Sequence, residues 1–347
     1  MKLAVNEARA FRLTDVPPDF IDDPYLYYAA LRTHDPVHEL APGSFFLTRH
    51  EDVVAVYRDP RASSDKKREF KPRLGDGPIF EHHTTSLVFN DPPLHTRVRR
   101  LIMGAVNQRA IARMEAGLVA LVDGLLDRMA GRSRVDLIED FAAQIPIEVI
   151  GNLLDVPKPE RGPLRGWSLA ILSALEPAPS AEILERANRA TSEFLDYLAV
   201  LCADRRKHPG DPEADVLTRL IQGEPDGERL TEKELFHNCI FLLNAGHETT
   251  TNLIGNGMHA LLTHRGELER LAREPALLGT AVEELLRFES PLQLVAVRDQ
   301  RVRAVADQVG RRLVAGVEQE DAVVQQLRLG ELAVGVALHQ ARTPRWT

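Results

Sequence analysis

From Pro93 to Phe288, apolar residues recur at helical spacing in one segment after another, leaving little room for a sheet-based architecture. The periodic segments run at about 93–105, 108–130, 142–154, 160–173, 181–207, 231–263 and 277–288. Helix-stopping residues separate them: Pro157-Lys158-Pro159, Pro177 to Pro179, and His208-Pro209-Gly210. Upstream, Asp23-Pro24 opens a helix to about Thr33. Val37 to Leu40 and Phe45 to Thr48 flank Pro42-Gly43 as a short β-hairpin. Glu51 to Tyr57 reads as a short helix stopped by Asp59-Pro60, and residues 61–90, with their Lys, Gly and Pro, as a long functional or mobile loop. The expected fold is mainly α, with a small N-terminal β element.

Composition narrows the function. With 44% hydrophobic and 27% charged residues in 347, the chain has the make-up of a soluble globular protein. A net charge of −8 argues against nucleic acid as the main partner, because phosphate binding needs a concentrated basic face. Met1 to Phe20 carries Glu7, Asp15 and Asp19 without a long apolar run, so neither a signal peptide nor a membrane anchor is expected. Cys202 and Cys239 are the only cysteines, which fits a reducing compartment, the cytoplasm.

The densest chemical signal is Ala245-Gly246-His247-Glu248-Thr249-Thr250, inside the helix that starts after Leu230, where Thr231 and Glu234 have capping-box spacing. Glycine and β-branched threonines are poor helix formers, so something besides helix stability favours them here. Two readings compete. In one, small side chains at 245 and 246 let a bulky group approach the backbone, and a threonine hydroxyl takes a backbone bond and locally widens the helix. An acid beside an alcohol then supplies a proton relay. In the other, Gly246 permits a close helix–helix crossing. His247 lies about 200° around the helix from Thr249 and reads as a packed or hydrogen-bonded histidine facing the other way.

Two further motifs bracket this one. In Asp91-Pro92-Pro93-Leu94-His95-Thr96-Arg97-Val98-Arg99-Arg100, proline starts a helix and His95 with Arg99 presents two cationic donors one turn apart. They suit carboxylates or phosphates, or form a basic solvated face. Glu284 and Arg287, three apart after Glu283, share a helix face and pair, whether as an ordinary surface salt bridge or as something more.

Taken together and in this order, the three motifs resemble the cytochrome P450 family, in its soluble bacterial branch, over about residues 10–297. The Asp23-Pro24-Tyr25 helix, the His50-Glu51-Asp52-Val53-Val54 helix start and the stretch from Pro146 to Asp155 agree as well. The resemblance implies a P450-like helical fold and a haem- and iron-dependent monooxygenase that oxidises a small organic substrate with O2. It implies electrons from an NAD(P)H-dependent reductase through a ferredoxin-type donor, and no nucleic-acid or membrane partner. By the same resemblance Ala245 and Gly246 make room for dioxygen, Thr249 hydrogen-bonds it and Glu248 relays protons. His95 and Arg99 match haem-propionate donors, with Arg298 a third, and Glu284 with Arg287 matches a structural ion pair. Residues 61–90 and 160–190 would line the substrate pocket.

One departure is large. The family's iron takes a proximal cysteine from a loop after the Glu-x-x-Arg helix, and no cysteine follows Cys239 here. Cys239 sits ten residues before Thr249 on the same expected helix, about 15 Å along its axis, and Cys202 lies in an earlier helix. Neither is a substitute, so no metal ligand is assigned. Arg298 to Thr347 contains no Phe, Tyr, Ile, Lys, Ser, Asn, Met or Cys. That shift marks residues 1–297 as a truncated P450-like domain and 298–347 as an atypical, frame-shifted and poorly ordered tail, with the proximal layer missing or replaced. Helix faces left wet at about 25 cal/mol per Å² then predict poor solubility, weak haem retention and an inactive chain. The alternative is a non-catalytic P450-like binding or activator protein.

Overall fold

The structure is a computed structural model that describes residues 5–13, 15–41, 44–176, 179–224, 226–292 and 298–299. The chain forms two compact units, one running through Ser64 and including Arg298–Asp299, the other beginning at Asp65. The expected division between residues 297 and 298, and the tail beyond Asp299, lie outside the described residues.

The first unit holds helices α1 (Val5–Ala10), α2 (Pro18–Asp22) and α3 (Pro24–His34), the hairpin β1 (Val37–Ala41) and β2 (Ser44–Leu47), then α4 (His50–Arg58). Strand β3 (Ala62–Ser63) pairs antiparallel with β4 (Arg298–Asp299). Asp23 caps α3 by accepting a bond from the Tyr25 amide at 3.1 Å, with Pro24 in the first turn. The hairpin register sets Val37 opposite Leu47 and His38 opposite Phe46. Phe11 gathers Phe20, Tyr27 and Phe46 around it at ring-centroid distances of 5.1, 6.0 and 5.9 Å, an aromatic core for a unit with few aliphatic residues to bury.

The second unit is helical throughout its described residues. It comprises α5 (Lys67–Leu74), α6 (Pro78–Thr85), α7 (Leu94–Ala105), α8 (Gln108–Met129), α9 (Gln144–Leu153), α10 (Gly162–Ser173), α11 (Ala181–Lys207) and α12 (Val216–Gln222). There follow α13 (Glu232–Thr263), α14 (Arg265–Arg273) and α15 (Leu278–Phe288). The long α13 is the axis: α6, α9, α10, α11 and α15 all pack on it. Its start is fixed by both bonds of the capping box, Thr231 Oγ1 accepting from the Glu234 amide at 3.2 Å and Glu234 Oε2 from the Thr231 amide at 2.9 Å. Leu164, Ile171, Phe194 and Leu198 of α10 and α11, Leu217 of α12 and Ile240 of α13 itself are fully buried, each contributing about 1.5–3 kcal/mol relative to exposure.

The expected 61–90 loop is instead largely helical. Phe70 and Leu74, four apart, turn one face of α5 into the core, while Lys67, Arg68 and Lys71 stay outside. Gly75, at φ +71°, ends α5, and Pro78 opens α6 from its first turn. The helix expected from residue 142 begins as a π-helical turn, Ile138–Ala142, before α9 proper. Among the described residues no helix is long and apolar enough to cross a membrane.

Candidate functional site

Burial along α13 changes character at one point. From Cys239 to Asn244 every side chain is buried; then Ala245 and Gly246 are half-buried, His247 is buried, and Glu248 to Thr250 are half-buried. Both readings of this motif bear on Gly246. A Cβ built on Gly246 would stand 2.7 Å from Ile150 Cδ1 of α9, the end of a flexible side chain, so the missing side chain eases that helix crossing. This packing role stands alongside the expectation that Ala245 and Gly246 make room for a ligand.

Thr249 Oγ1 donates to the Ala245 carbonyl at 2.7 Å, and Thr251 Oγ1 to the His247 carbonyl at 3.0 Å. The helix absorbs both hydroxyls without the expected widening, remaining α-helical from Glu232 to Thr263. With its proton committed to Ala245, the Thr249 oxygen has only acceptor capacity to offer a neighbour. Burial, and secondarily the charge of Glu176, holds the Glu248 carboxyl above its usual pKa. A raised carboxyl beside an acceptor hydroxyl is a group able to hold a proton and hand it on. His247 sits within 3.1 Å of Ser168 Oγ on α10, and its pKa is lowered to about 4 by burial and then by Arg165. It is a packed neutral histidine, as its helical angle implied.

His95 and Arg99 occupy one face of α7, both half-buried. On the same helix Arg97 pairs with Glu234 of the capping box, and Arg100 with Asp226 and Glu228. The capping glutamate therefore also ties α7 to the start of α13. Glu284 and Arg287 form a two-bond pair on α15 at 2.8 and 2.6 Å, and the bond to Arg287 lowers the Glu284 pKa. Their side chains are 58% and 35% exposed, which makes the pair a surface one. Arg298 contributes backbone pairing to β4; its side chain lies outside the described residues.

Both cysteines are free and fully buried, Cys202 on α11 and Cys239 on α13. Burial pushes the Cys202 thiol up to about 11 and raises Cys239 as well, with Cys202 adding to the latter. Thiols in that state are protonated and poor metal ligands.

Sequence reasoning missed a set of polar residues where α6 meets α13: His82, His83, His237, Asn238 and Asn244, all buried. Asn238 is satisfied at both ends, accepting from the Leu87 amide at 3.0 Å and donating to the Glu234 carbonyl at 2.7 Å. The histidine pKa values are depressed, chiefly by burial: His83 to about 3 and His237 to about 4, with His82 lowered as well. The available signal was polar residues interrupting the apolar run from Leu235 to Leu243.

Comparison with known proteins gives a consistent set of relatives. The family model described as Cytochrome P450 matches residues 170–293. The chain is 36% identical over 329 residues to "Cytochrome P450 107B1" of Saccharopolyspora erythraea, covering 92% of this chain and 75% of that one. It is 38% identical to "Vitamin D(3) 25-hydroxylase" of Pseudonocardia autotrophica, over 80% of this chain and 68% of that one. Among solved structures, CalO2 matches at TM-score 0.74 and 32% identity, with 80% and 69% of the two chains covered. P450BioI, in complex with an acyl carrier protein bearing hexadec-9Z-enoic acid, matches at TM-score 0.72 and 31% identity over 79% and 71%.

Proposed function

Because this chain belongs to the cytochrome P450 family, we propose that its helical second unit carries the oxygen-side half of a haem monooxygenase site. The family is one of monooxygenases that bind haem and act on small substrates with redox partners. The observation that carries the reading is the centre of α13, where half-buried Glu248, its carboxyl pKa raised by burial, adjoins a Thr249 hydroxyl bonded to Ala245.

The residues present fit haem on one side and not on the other. His95 and Arg99 supply cationic donors suited to its propionate carboxylates, with Arg298 proposed as a third. Ala245 and Gly246, the small residues of the motif, would make room on α13 for a flat group. The buried, protonated Cys202 and Cys239 do not fit the axial position, and these 347 residues hold no other cysteine. Haem, when bound, supplies the oxygen chemistry. The chain's own part is local: Glu248 holds a proton at its carboxyl, Thr249 Oγ1 accepts a hydrogen bond, and the α13–α9 crossing at Gly246 keeps both in place. Glu284 and Arg287 are structural. Electrons would come from an NAD(P)H-dependent reductase through a ferredoxin-type donor.

The cysteine environment favours a second reading, a P450-like binding or activator protein without turnover. The reduced protein's carbon monoxide difference spectrum separates the two. A thiolate-type Soret band supports the monooxygenase, and a chain that takes up no haem supports the binding protein. In a haem-loaded chain supplied with electrons, Thr249→Ala and Glu248→Gln should divert consumed O2 towards hydrogen peroxide. Unchanged product-to-peroxide ratios in both variants would remove the proton-handling role.

A further inference from the structure

Two histidines of α6 and two residues of α13 meet in a buried cluster whose polar atoms are only partly satisfied. His82, His83, His237 and Asn244 are 2, 3, 2 and 4% exposed. The ring of His82 lies 5.0 Å from that of His83 and 5.7 Å from that of His237. Asn244 Nδ2 is 3.5 Å from His82 Nε2. Among the described residues, His82 Nδ1, His83 Nε2, His237 Nδ1 and Asn244 Oδ1 have no hydrogen-bond partner. Buried polar atoms are almost always paired, and several orphans in one place call for an explanation. Other unpartnered buried atoms are scattered, His247 Nε2 and Arg205 Nε among them, whereas four fall in this one cluster. Close by, Thr84 Oγ1 donates to the Phe80 carbonyl at 2.8 Å and Asn90 Nδ2 to the Ser86 carbonyl at 2.7 Å.

The arrangement also fixes what would satisfy it. If Asn244 Nδ2 donates to His82 Nε2, the imidazole proton sits on Nδ1, which becomes an unmet donor, while Asn244 Oδ1 is an unmet acceptor. Reversing the amide exchanges those roles and leaves the same pair, one donor and one acceptor. A hydroxyl group answers both, a carbonyl only the donor, and a hydrocarbon neither. Of the charged side chains nearby, Glu81 is already paired with Lys233 beside His237, and Arg73, whose buried Nε also has no partner, stands near His83. No set of three His, Cys, Asp or Glu among the described residues is placed to hold a metal ion. On α13, His237, Phe241, Asn244 and Glu248 follow one another at helical spacing along a single face. Asn244 is thus about 6 Å, and His237 about 16 Å, along the axis from Glu248.

We infer that the His82–His83–His237–Asn244 cluster anchors the hydroxyl group of an otherwise apolar substrate, holding it at a set distance along α13 from the Glu248–Thr249 pair. This rests on the monooxygenase reading and adds the substrate class: a neutral molecule already bearing an alcohol, oxidised about 6–16 Å from it.

The test is binding to the full chain, with 1-decanol, 2-decanone and decane as probes at matched free concentration. The expected order is decanol, then decanone, then decane, with at least a tenfold gap between first and last, about 1.4 kcal/mol. The histidine ring-nitrogen resonances of the labelled protein should move with decanol. Asn244→Leu combined with His82→Phe should bring decanol down to the affinity of decane. Equal binding of decanol and decane by the unaltered chain, or ring nitrogens unmoved at decanol saturation, overturns the inference and leaves the cluster a water site. Since the readout needs no turnover, it separates from the carbon monoxide experiment. A decanol preference without a haem signal keeps the anchor and removes the oxygenase. A haem signal without the preference does the reverse.

Discussion

Helices α13 and α15 carry two of the motifs that identify this chain, and they are held in opposite ways. α13 is capped, tied to α7 through Glu234–Arg97 and enclosed by neighbours, so that Ile240 and Leu243 are fully buried. α15 packs against α13 where Gly257 admits Leu285, a Cβ there standing 3.1 Å from Leu285 Cδ1, yet Leu278, Val282 and Phe288 remain exposed. A motif's presence therefore says little about its energetic weight. The Ala245–Thr250 motif lies, half-buried, on an enclosed helix, and the ion-pair motif stands on a helix one face of which is wet. The largest expected effect tests this directly. Leu243→Ala should cost about 2–5 kcal/mol in urea unfolding, and Leu278→Ala no more than about 0.5 kcal/mol. Comparable losses would mean that α15 is covered as thoroughly as α13.

Acid should attack the α13 side first. The buried histidines have folded pKa values below their unfolded 6.5, about 4 for His237 and His247 and about 3 for His83. Between pH 6.5 and those values the unfolded chain binds more protons than the native one, so stability falls as pH falls through that window and is complete above it. At 1.36 kcal/mol per unit, His237 and His247 should each account for roughly 3 kcal/mol across it. Arg73, Glu81, Lys233 and Arg165 are the charged side chains facing these rings. Glu248, raised by burial, pulls the other way. Denaturant melts at pH 7, 5.5 and 4.5 should show the loss, and His247→Gln should flatten it. A flat profile in the unaltered chain would show that the rings protonate without opening the helix contacts.

Gly246 sharpens the comparison within α13 itself. Gly246→Ala gains helix propensity but drives a methyl into Ile150, whose Cδ1 is the end of a flexible side chain. A net loss of about 1–2 kcal/mol is expected, by overpacking, and Ile150→Val should restore part of it. If Gly246→Ala is neutral while any bound ligand is displaced, the glycine serves the site and not the crossing.

What was legible in the sequence follows the same division. The long helices were readable because propensity, caps and apolar spacing agreed: the segment expected over 181–207 is α11, and Thr231 with Glu234 forms the capping box. Helix α14 was missed although Leu268 and Leu271, three apart, mark one face of it, because it is short and otherwise charged. Helices α5 and α6 were hidden by Lys, Gly and Pro, although Phe70 and Leu74 marked one face. The residues from Ala245 to Thr250 stood out as a candidate site because they are adjacent in sequence. The histidine cluster was not, because His82 and His237 meet across 155 residues and each alone looks like an ordinary polar interruption.

A further small effect concerns the ion-pair motif of α15. The Glu284–Arg287 pair has good two-bond geometry, but both partners reach solvent, where water and salt replace most of the attraction. Glu284→Gln should therefore cost at most about 1 kcal/mol in urea unfolding, and less at high salt. The contrast with Leu243→Ala is then severalfold, and it follows from burial alone. Should Glu284→Gln instead cost several kcal/mol with no salt dependence, the pair is enclosed in the folded protein. α15 would then belong with α13 among the helices that hold the site.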